Sequence, residues 1–296
     1  MTNQVEFKQY TFDNRERTNQ EFAEVANTLR QDIIKSLLLA KSGHSGGPLG
    51  ISDLMSVLYF GGYMNYDPEN PNMFGRDRFV LSAGHMAPVL YSTLARAGYF
   101  ECAELATLRK LGTRLQGHPG LDVHLPGIET SSGSLGQGVS IAVGMAMSDK
   151  FVDKNDAAVY CITGDGELQE GACWEAAMAA SNYDLSNLCW IVDNNDCQID
   201  GRVKDIMDVY PIKEKFESFN FSVIEIDGHN YDEIKKAIEF FKENQISDNN
   251  KPTCIIAKTY MGKGVSFMHD KYSWHGNPPN SEQAEIALSE LNMEKD

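Results

Sequence analysis

Ala157-Ala-Val-Tyr-Cys-Ile-Thr-Gly-Asp-Gly166 and, a short way on, Leu188-Cys-Trp-Ile-Val-Asp-Asn-Asn195 are the stretches whose reading decides the fold. Each begins as an almost entirely apolar run, with no alternation of polar and apolar residues. Such runs belong to strands buried on both faces of a parallel sheet. Between them, residues 171–182 are mostly small and read as the helix of a crossover. Working outward, the pattern continues as helix 135–149, strand 157–163, helix 171–182, strand 188–193, strand 221–227, helix 231–244 and strand 253–259. Upstream, Phe22, Val25, Ala26, Leu29, Ile33 and Leu37 recur at helical spacing within residues 18–41. Residues 42–50 read as a glycine-rich break and 52–60 as a short helix capped by a serine or aspartate. Residues 79–82 read as a strand and 87–97 as a helix. The polar segment 112–134 is too rich in glycine and proline for a regular element. Alternating strands and helices predict an α/β fold, doubly wound, with a mostly parallel sheet and helices on both faces. With no linker or repeat in view, residues 1–296 read as one domain.

Composition narrows the function. The chain carries 26 basic and 42 acidic residues among 296, a net charge of −16, and 42% of it is hydrophobic. A field of that sign argues against binding nucleic acid or anionic membrane surfaces. No apolar run approaches the roughly 20 residues of a membrane span. Six cysteines form no C-x-x-C pair, so neither a disulfide framework nor a zinc site is expected. A reduced, cytoplasmic setting is the expectation that follows.

In doubly wound folds, ligands sit beyond the carboxyl ends of the strands. One such end reads Gly164-Asp-Gly166 and the next Asp193-Asn-Asn195, with Asp165 and Asn195 30 residues apart. If the strands are neighbours, their ends lie about 4.8 Å apart. A carboxylate and an amide oxygen then converge, a donor set suited to Mg²⁺ or Ca²⁺ with a diphosphate completing the shell. A bridging cation is also how a chain of this charge can hold an anionic ligand. The two glycines would supply close approach and positive φ, and the N-terminus of helix 171–182 further N–H donors. Taken singly, an aspartate after a strand is a turn former and Asn-Asn a turn. Their joint placement carries the metal–diphosphate reading.

Four of the seven histidines (His44, His85, His118 and His229) directly follow glycine, where 25 glycines among 296 positions would place fewer than one by chance. His275 precedes a glycine. A loop imidazole beside glycine can reach a ligand and exchange protons near neutral pH. His124, His229 and His269 are expected to be surface residues. The glycines of Ser132-Gly-Ser-Leu-Gly-Gln-Gly138 lack a preceding strand, and Ile141 fills the third fingerprint position, so a nicotinamide-binding oxidoreductase fails. Neither G-x-x-x-x-G-K-[ST] nor G-x-S-x-G occurs.

Gly164-Asp-Gly166, followed after 27 residues by Asn194-Asn195, resembles the thiamine-diphosphate motif. Six segments in order resemble the transketolase family: Ser42-Gly-His-Ser-Gly-Gly-Pro-Leu-Gly50, Phe79-Val-Leu-Ser-Ala-Gly-His85, Gly117-His-Pro119, Ser134-Leu-Gly-Gln-Gly138, Gly164-Asp-Gly-Glu-Leu-Gln-Glu-Gly171 and Trp274-His-Gly276. The resemblance runs from about residue 18 to residue 280. It implies a diphosphate-type thiamine-diphosphate domain in which Asp165, Asn195 and the backbone carbonyl of Cys197 hold Mg²⁺ or Ca²⁺. It implies that Gly133, Ser134 and Leu135 belong to the loop at the aminopyrimidine, and that Gly164 and Gly166 lie at the diphosphate. His44, His85, His118 and His275 match the histidines lining the thiazolium, donor sugar and diphosphate. Glu170 matches a carboxylate at the family's dimer interface.

The resemblance has departures. Ser45 stands where the family has proline, Met86 where it has a small residue and Cys197 where it has isoleucine. The first two are expected to alter substrate fit. A complete transketolase is more than twice as long. The chain is therefore expected to be the N-terminal subunit of a split transketolase, completed by a C-terminal subunit carrying the pyrimidine-binding domain, as an α2β2 heterotetramer. The implied reaction transfers a two-carbon glycolaldehyde unit from a ketose phosphate to an aldose, with the pentose phosphate pathway as the prior setting. A 1-deoxyxylulose-5-phosphate synthase shares Gly-Asp-Gly, but residues 168–175 are transketolase-like. A non-catalytic cofactor-binding subunit stays open.

Overall fold

Strand residues of alternating parity point into two different apolar layers, and this places the sheet in the centre. The computed structural model describes residues 5–293. Numbered in chain order, the strands are β1 (Arg78–Leu81), β2 (Val159–Gly164), β3 (Leu188–Asn194), β4 (Cys197–Gln198), β5 (Gly201–Arg202), β6 (Ser222–Asp227) and β7 (Thr253–Lys258). Five pair in parallel in the order β1-β2-β3-β7-β6, while β4 and β5 form a small antiparallel pair. From β2, Tyr160 and Ile162 join one core with Cys189 and Ile191 of β3. Val159, Cys161, Leu188, Trp190 and Val192 join the other. Burial on both sides is the reason these strands read as continuous apolar runs.

The helices are α1 (Asn19–Ala40), α2 (Gly46–Gly50), α3 (Ser52–Phe60), α4 (Ala87–Ala97), α5 (Gln137–Met147), α6 (Gly171–Asn182), α7 (Val203–Ile206), α8 (Ile212–Ser218), α9 (Tyr231–Gln245) and α10 (Ser281–Met293). Helix α1 starts at a capping box, in which Thr18 and Glu21 satisfy each other's exposed amides, and stops where Lys41 turns left-handed. Its buried stripe packs with α3, α4 and α9 over one face. A buried ion pair from Arg96 to Asp32, at 2.8 Å, ties α4 to α1. The other face is covered by α5, α6 and α8, where Phe216 and Phe221 meet the edge of Trp190. No helix among the described residues is long and apolar enough to cross a membrane.

The doubly wound α/β expectation is met, and the expected strands agree with the observed ones within a residue or two. Several local readings differ. Residues 46–50 are not a break but α2, whose glycines mark close packing: Gly46 and Gly47 approach Met261 and Met86 more closely than a side chain permits. Helix α3 has no side-chain cap: its N-cap is Ile51, Ser52 bonds Pro48 O, and Asp53 is buried in an ion pair. The helix read as 135–149 begins at Gln137 and passes into a wider turn over residues 148–153. The elements α7, α8 and the β4–β5 pair are too short to show a period, whereas α10, absent from the expected elements, does carry one in Ala284, Ala287, Leu288 and Leu291.

Candidate active site

Strands β2 and β3 are neighbours, in a register that sets Gly164 opposite Asp193. The residues after each strand therefore emerge side by side. Asp165 accepts hydrogen bonds from the Gly166 amide at 2.8 Å and the Asp196 amide at 2.6 Å. Asp193 accepts from Asn195 Nδ2 at 2.7 Å and from the Thr259 hydroxyl. That contact orients the Asn195 amide oxygen, which accepts from the Cys197 amide at 2.9 Å. Asp165 and Asp193 are 1% and 2% exposed. Burial, reinforced by the Asp193 charge, pushes the Asp165 carboxyl up to about 8, and burial pushes Asp193 up to about 6. A third buried carboxylate, Glu167, accepts from Ser82 Oγ at 2.5 Å, Gly136 N at 2.8 Å and Gly164 N at 3.2 Å. Burial raises it too.

Above these strand ends stand the histidines. His44 lies with its ring centroid 5.0 Å from His85, 5.6 Å from His275 and 6.4 Å from His118, and His85 stacks on His275 at 4.9 Å. Desolvation lowers all four, His44 to about 4, and the neighbouring imidazoles add to the effect at His44 and His85. At His275 the Cys197 backbone pulls the other way. The Nδ1 atoms of His44 and His275 are buried without a hydrogen-bond partner. Gly133, at φ +129°, makes the grouping possible. A Cβ there would lie 2.7 Å from the His118 ring.

These groups share one cavity of about 330 Å³, within the range of small-molecule sites. Its walls include His44, His85, His118, His275, Gly133, Leu135, Gly164, Asp165, Gly166, Asn195 and Cys197. Two other residues implied by resemblance, Ser134 and Glu170, are exposed and stand outside it. Gly164 and Gly166 do not adopt positive φ. A side chain at Gly164 would point into open space. The start of α6 does not line the cavity, but the preceding turn, Gly166–Gln169, does.

Met86 lines the cavity, as substrate fit would require. Ser45 does not: fully buried, it ties Trp274 O and Asn277 O to the His44 loop. His229 is not a surface residue either. Its ring is 7% exposed and bonds Asp53 at 2.8 Å. His124 and His269 are exposed. Sequence reasoning did not single out Glu167, Asp193, Thr259 or Met261. Two signals pointed their way: Asp193 adjoins Asn194-Asn195, and Glu167 lies within the Gly164–Gly171 segment. All six cysteines are buried and unpaired.

The cavity suits the implied groups on its own evidence. Three buried carboxylates face it, and no lysine or arginine is among the groups that shift any of them. A divalent cation would offset that charge. Among the described residues, no group of three or more His, Cys, Asp or Glu side chains could hold a metal. A donor set of one carboxylate, one amide and one carbonyl leaves room for diphosphate oxygens. The two orphaned imidazole nitrogens await a polar ligand.

Parallel strands that deliver an aspartate and an asparagine to a histidine-lined cavity define a cofactor-binding α/β domain. The chain belongs to the transketolase family: residues 19–296 match the family model described as transketolase, thiamine diphosphate binding domain. It is 41% identical over 276 residues to human transketolase, covering 92% of this chain and 42% of that protein. It is 41% identical over 269 residues to the 6-deoxy-6-sulfo-D-fructose transketolase subunit of Clostridium sp. (strain MSTE9), covering 91% of this chain and 95% of that one. The structure of Campylobacter jejuni transketolase superposes with a TM-score of 0.81 at 36% identity, covering 93% of this chain and 42% of that chain. The chain thus spans 42% of the length of the transketolases it matches first.

Proposed function

We propose that this chain holds the diphosphate end of thiamine diphosphate together with Mg²⁺ or Ca²⁺. With a partner subunit, it transfers a two-carbon glycolaldehyde unit from a ketose phosphate to an aldose. The observation that carries this reading is one cavity holding Asp165 and Asn195 below and four clustered histidines above. Asp165, Asn195 and the Cys197 carbonyl would hold the cation, with Asp193 fixing the Asn195 amide. Gly164 leaves open space at the diphosphate with Gly166 beside it, and Gly133, Ser134 and Leu135 form the loop at the aminopyrimidine. The cofactor supplies the electron sink for breaking and making a carbon–carbon bond.

The protein's part is binding and proton handling. Desolvation keeps His44, His85, His118 and His275 neutral at pH 7. A neutral imidazole can donate from one nitrogen and accept at the other, so these rings can serve substrate hydroxyl and carbonyl oxygens in turn. Met86 and Met261 give the same cavity part of its apolar wall.

The proposed partner is a C-terminal subunit with the pyrimidine-binding domain, joined as α2β2 in the cytoplasm, with Glu170 at the contact. In support, the Clostridium relative, 95% covered by this chain, is itself named a subunit. Leu135, Ile141 and Met178 are also left 37%, 37% and 58% exposed. Calorimetric titration of thiamine diphosphate, with and without Mg²⁺, into the chain alone and with its candidate partner tests the reading. Mg²⁺-dependent binding is expected, with turnover only in the mixture. No binding in either case would overturn the cofactor assignment, and full turnover by the chain alone would overturn the partner.

A further inference from the structure

Outside the cavity, one buried polar network grips two of its walls. Asp53, on α3, is 2% exposed. Its Oδ2 accepts from Arg30 Nη2 at 2.6 Å and from His229 Nδ1 at 2.8 Å, and its Oδ1 accepts from the Tyr231 hydroxyl at 2.7 Å. On the far side of the imidazole, the Tyr260 amide donates to His229 Nε2 at 2.9 Å. An amide can only donate, so Nε2 is a bare lone pair and the ring proton sits on Nδ1, facing Asp53.

What His229 holds is the segment that follows β7. Thr259 donates its hydroxyl to Asp193, which orients Asn195. Met261 lines the cofactor cavity, and the Gly262 amide donates to Gly46 O at 2.9 Å in the loop that carries His44. Arg30, the other donor to Asp53 Oδ2, also donates through Nε to Leu49 O at 3.1 Å in α2, which follows that loop. Neither Asp53 nor His229 lines the cavity.

Resting on the cofactor site proposed above, we propose that His229 is a positioning residue. Held by Asp53, it fixes the Tyr260 amide, and thereby sets the Thr259–Met261 wall against which Asp193, Asn195 and the His44 loop are aligned. Its bond to Tyr260 matters to the site, while its bond to Asp53 only aims the ring.

Two variants separate these bonds, because asparagine reproduces Nδ1 and glutamine reproduces Nε2. His229→Gln keeps an acceptor for Tyr260, and His229→Asn keeps the donor to Asp53. Amide hydrogen exchange on the cofactor-free chain reads residues 256–268 directly, with residues 157–164 as the internal control. The expected result is exchange at least tenfold faster over 256–268 in His229→Asn and near native in His229→Gln, with the control unchanged in both. Thiamine diphosphate with Mg²⁺ should bind about tenfold more weakly to His229→Asn only, one hydrogen bond's worth. The reverse ranking, equal effects, or no effect would overturn the inference. Imidazole ¹⁵N NMR of the unaltered protein tests it without substitution: a proton on Nε2 of His229 would refute it. If the unaltered protein binds no thiamine diphosphate, the function proposal fails, and the exchange and NMR results still judge His229.

Discussion

The amide of Asp165 donates to the carbonyl of Asp193 at 3.1 Å, at the point where β2 and β3 leave the sheet. That bond sets two buried carboxylates side by side, with no lysine or arginine among the groups that shift either of them. A divalent cation is the natural complement. Asp165→Asn should weaken Mg²⁺-dependent binding of thiamine diphosphate by at least about tenfold while leaving far-ultraviolet circular dichroism unchanged. Unaltered affinity and Mg²⁺ dependence in the calorimeter would remove Asp165 from the metal site.

His85 packs against both His44 and His275, at 5.0 and 4.9 Å. In the complete assembly, His85→Ala should lower kcat by about a hundredfold or more, the scale of a lost acid–base group. Cofactor affinity should change far less. Steady-state kinetics beside a binding isotherm decides, and the opposite split would make His85 a binding residue.

The histidine cluster also gives a pH dependence with a definite sign. Desolvation depresses His44 from 6.5 to about 4 in the folded protein. Below 6.5 the unfolded chain takes up a proton that the folded one refuses. Stability from this source is complete above 6.5 and is lost as pH falls toward about 4. Discounted for partial exposure, His44 accounts for about 1–2 kcal/mol. Urea midpoints of the unaltered protein should drop between pH 6.5 and 4.5, and those of His44→Gln should drop less. Parallel curves would contradict the assignment.

Glu167 joins three segments through the Ser82 hydroxyl and the Gly136 and Gly164 amides. Glu167→Ala leaves those donors buried and unpaired, which should cost about 2–4 kcal/mol. Chemical denaturation measures it, and a loss below about 0.5 kcal/mol would show that the glycine loops hold without the carboxylate. Glu167→Gln, which keeps one acceptor, should fall between.

Legibility followed the length scale of each interaction. Strands β2 and β3 were readable because burial on both faces leaves an unbroken apolar run in the sequence. The short α2 was missed, since its glycines are explained by Met86 and Met261 pressing on them from elsewhere in the chain. Helix α8 was missed for a related reason: seven residues are too few to show a period, although its Phe216 packs on Trp190.

The sequence by itself determined the layered α/β arrangement and the pairing of Asp165 with Asn195 across one crossover. It also determined the glycine-flanked histidines that meet above them. All of these leave local marks: a period, a run, or a spacing of one structural unit. Only the tertiary structure decided that Ser45 braces a turn, that Glu167 knits two glycine loops, and that His229 is buried against Asp53, 176 residues away. The reason is physical. Periodicity records which side of an element is dry, whereas a buried polar group is satisfied by whatever partner the fold brings within hydrogen-bond distance.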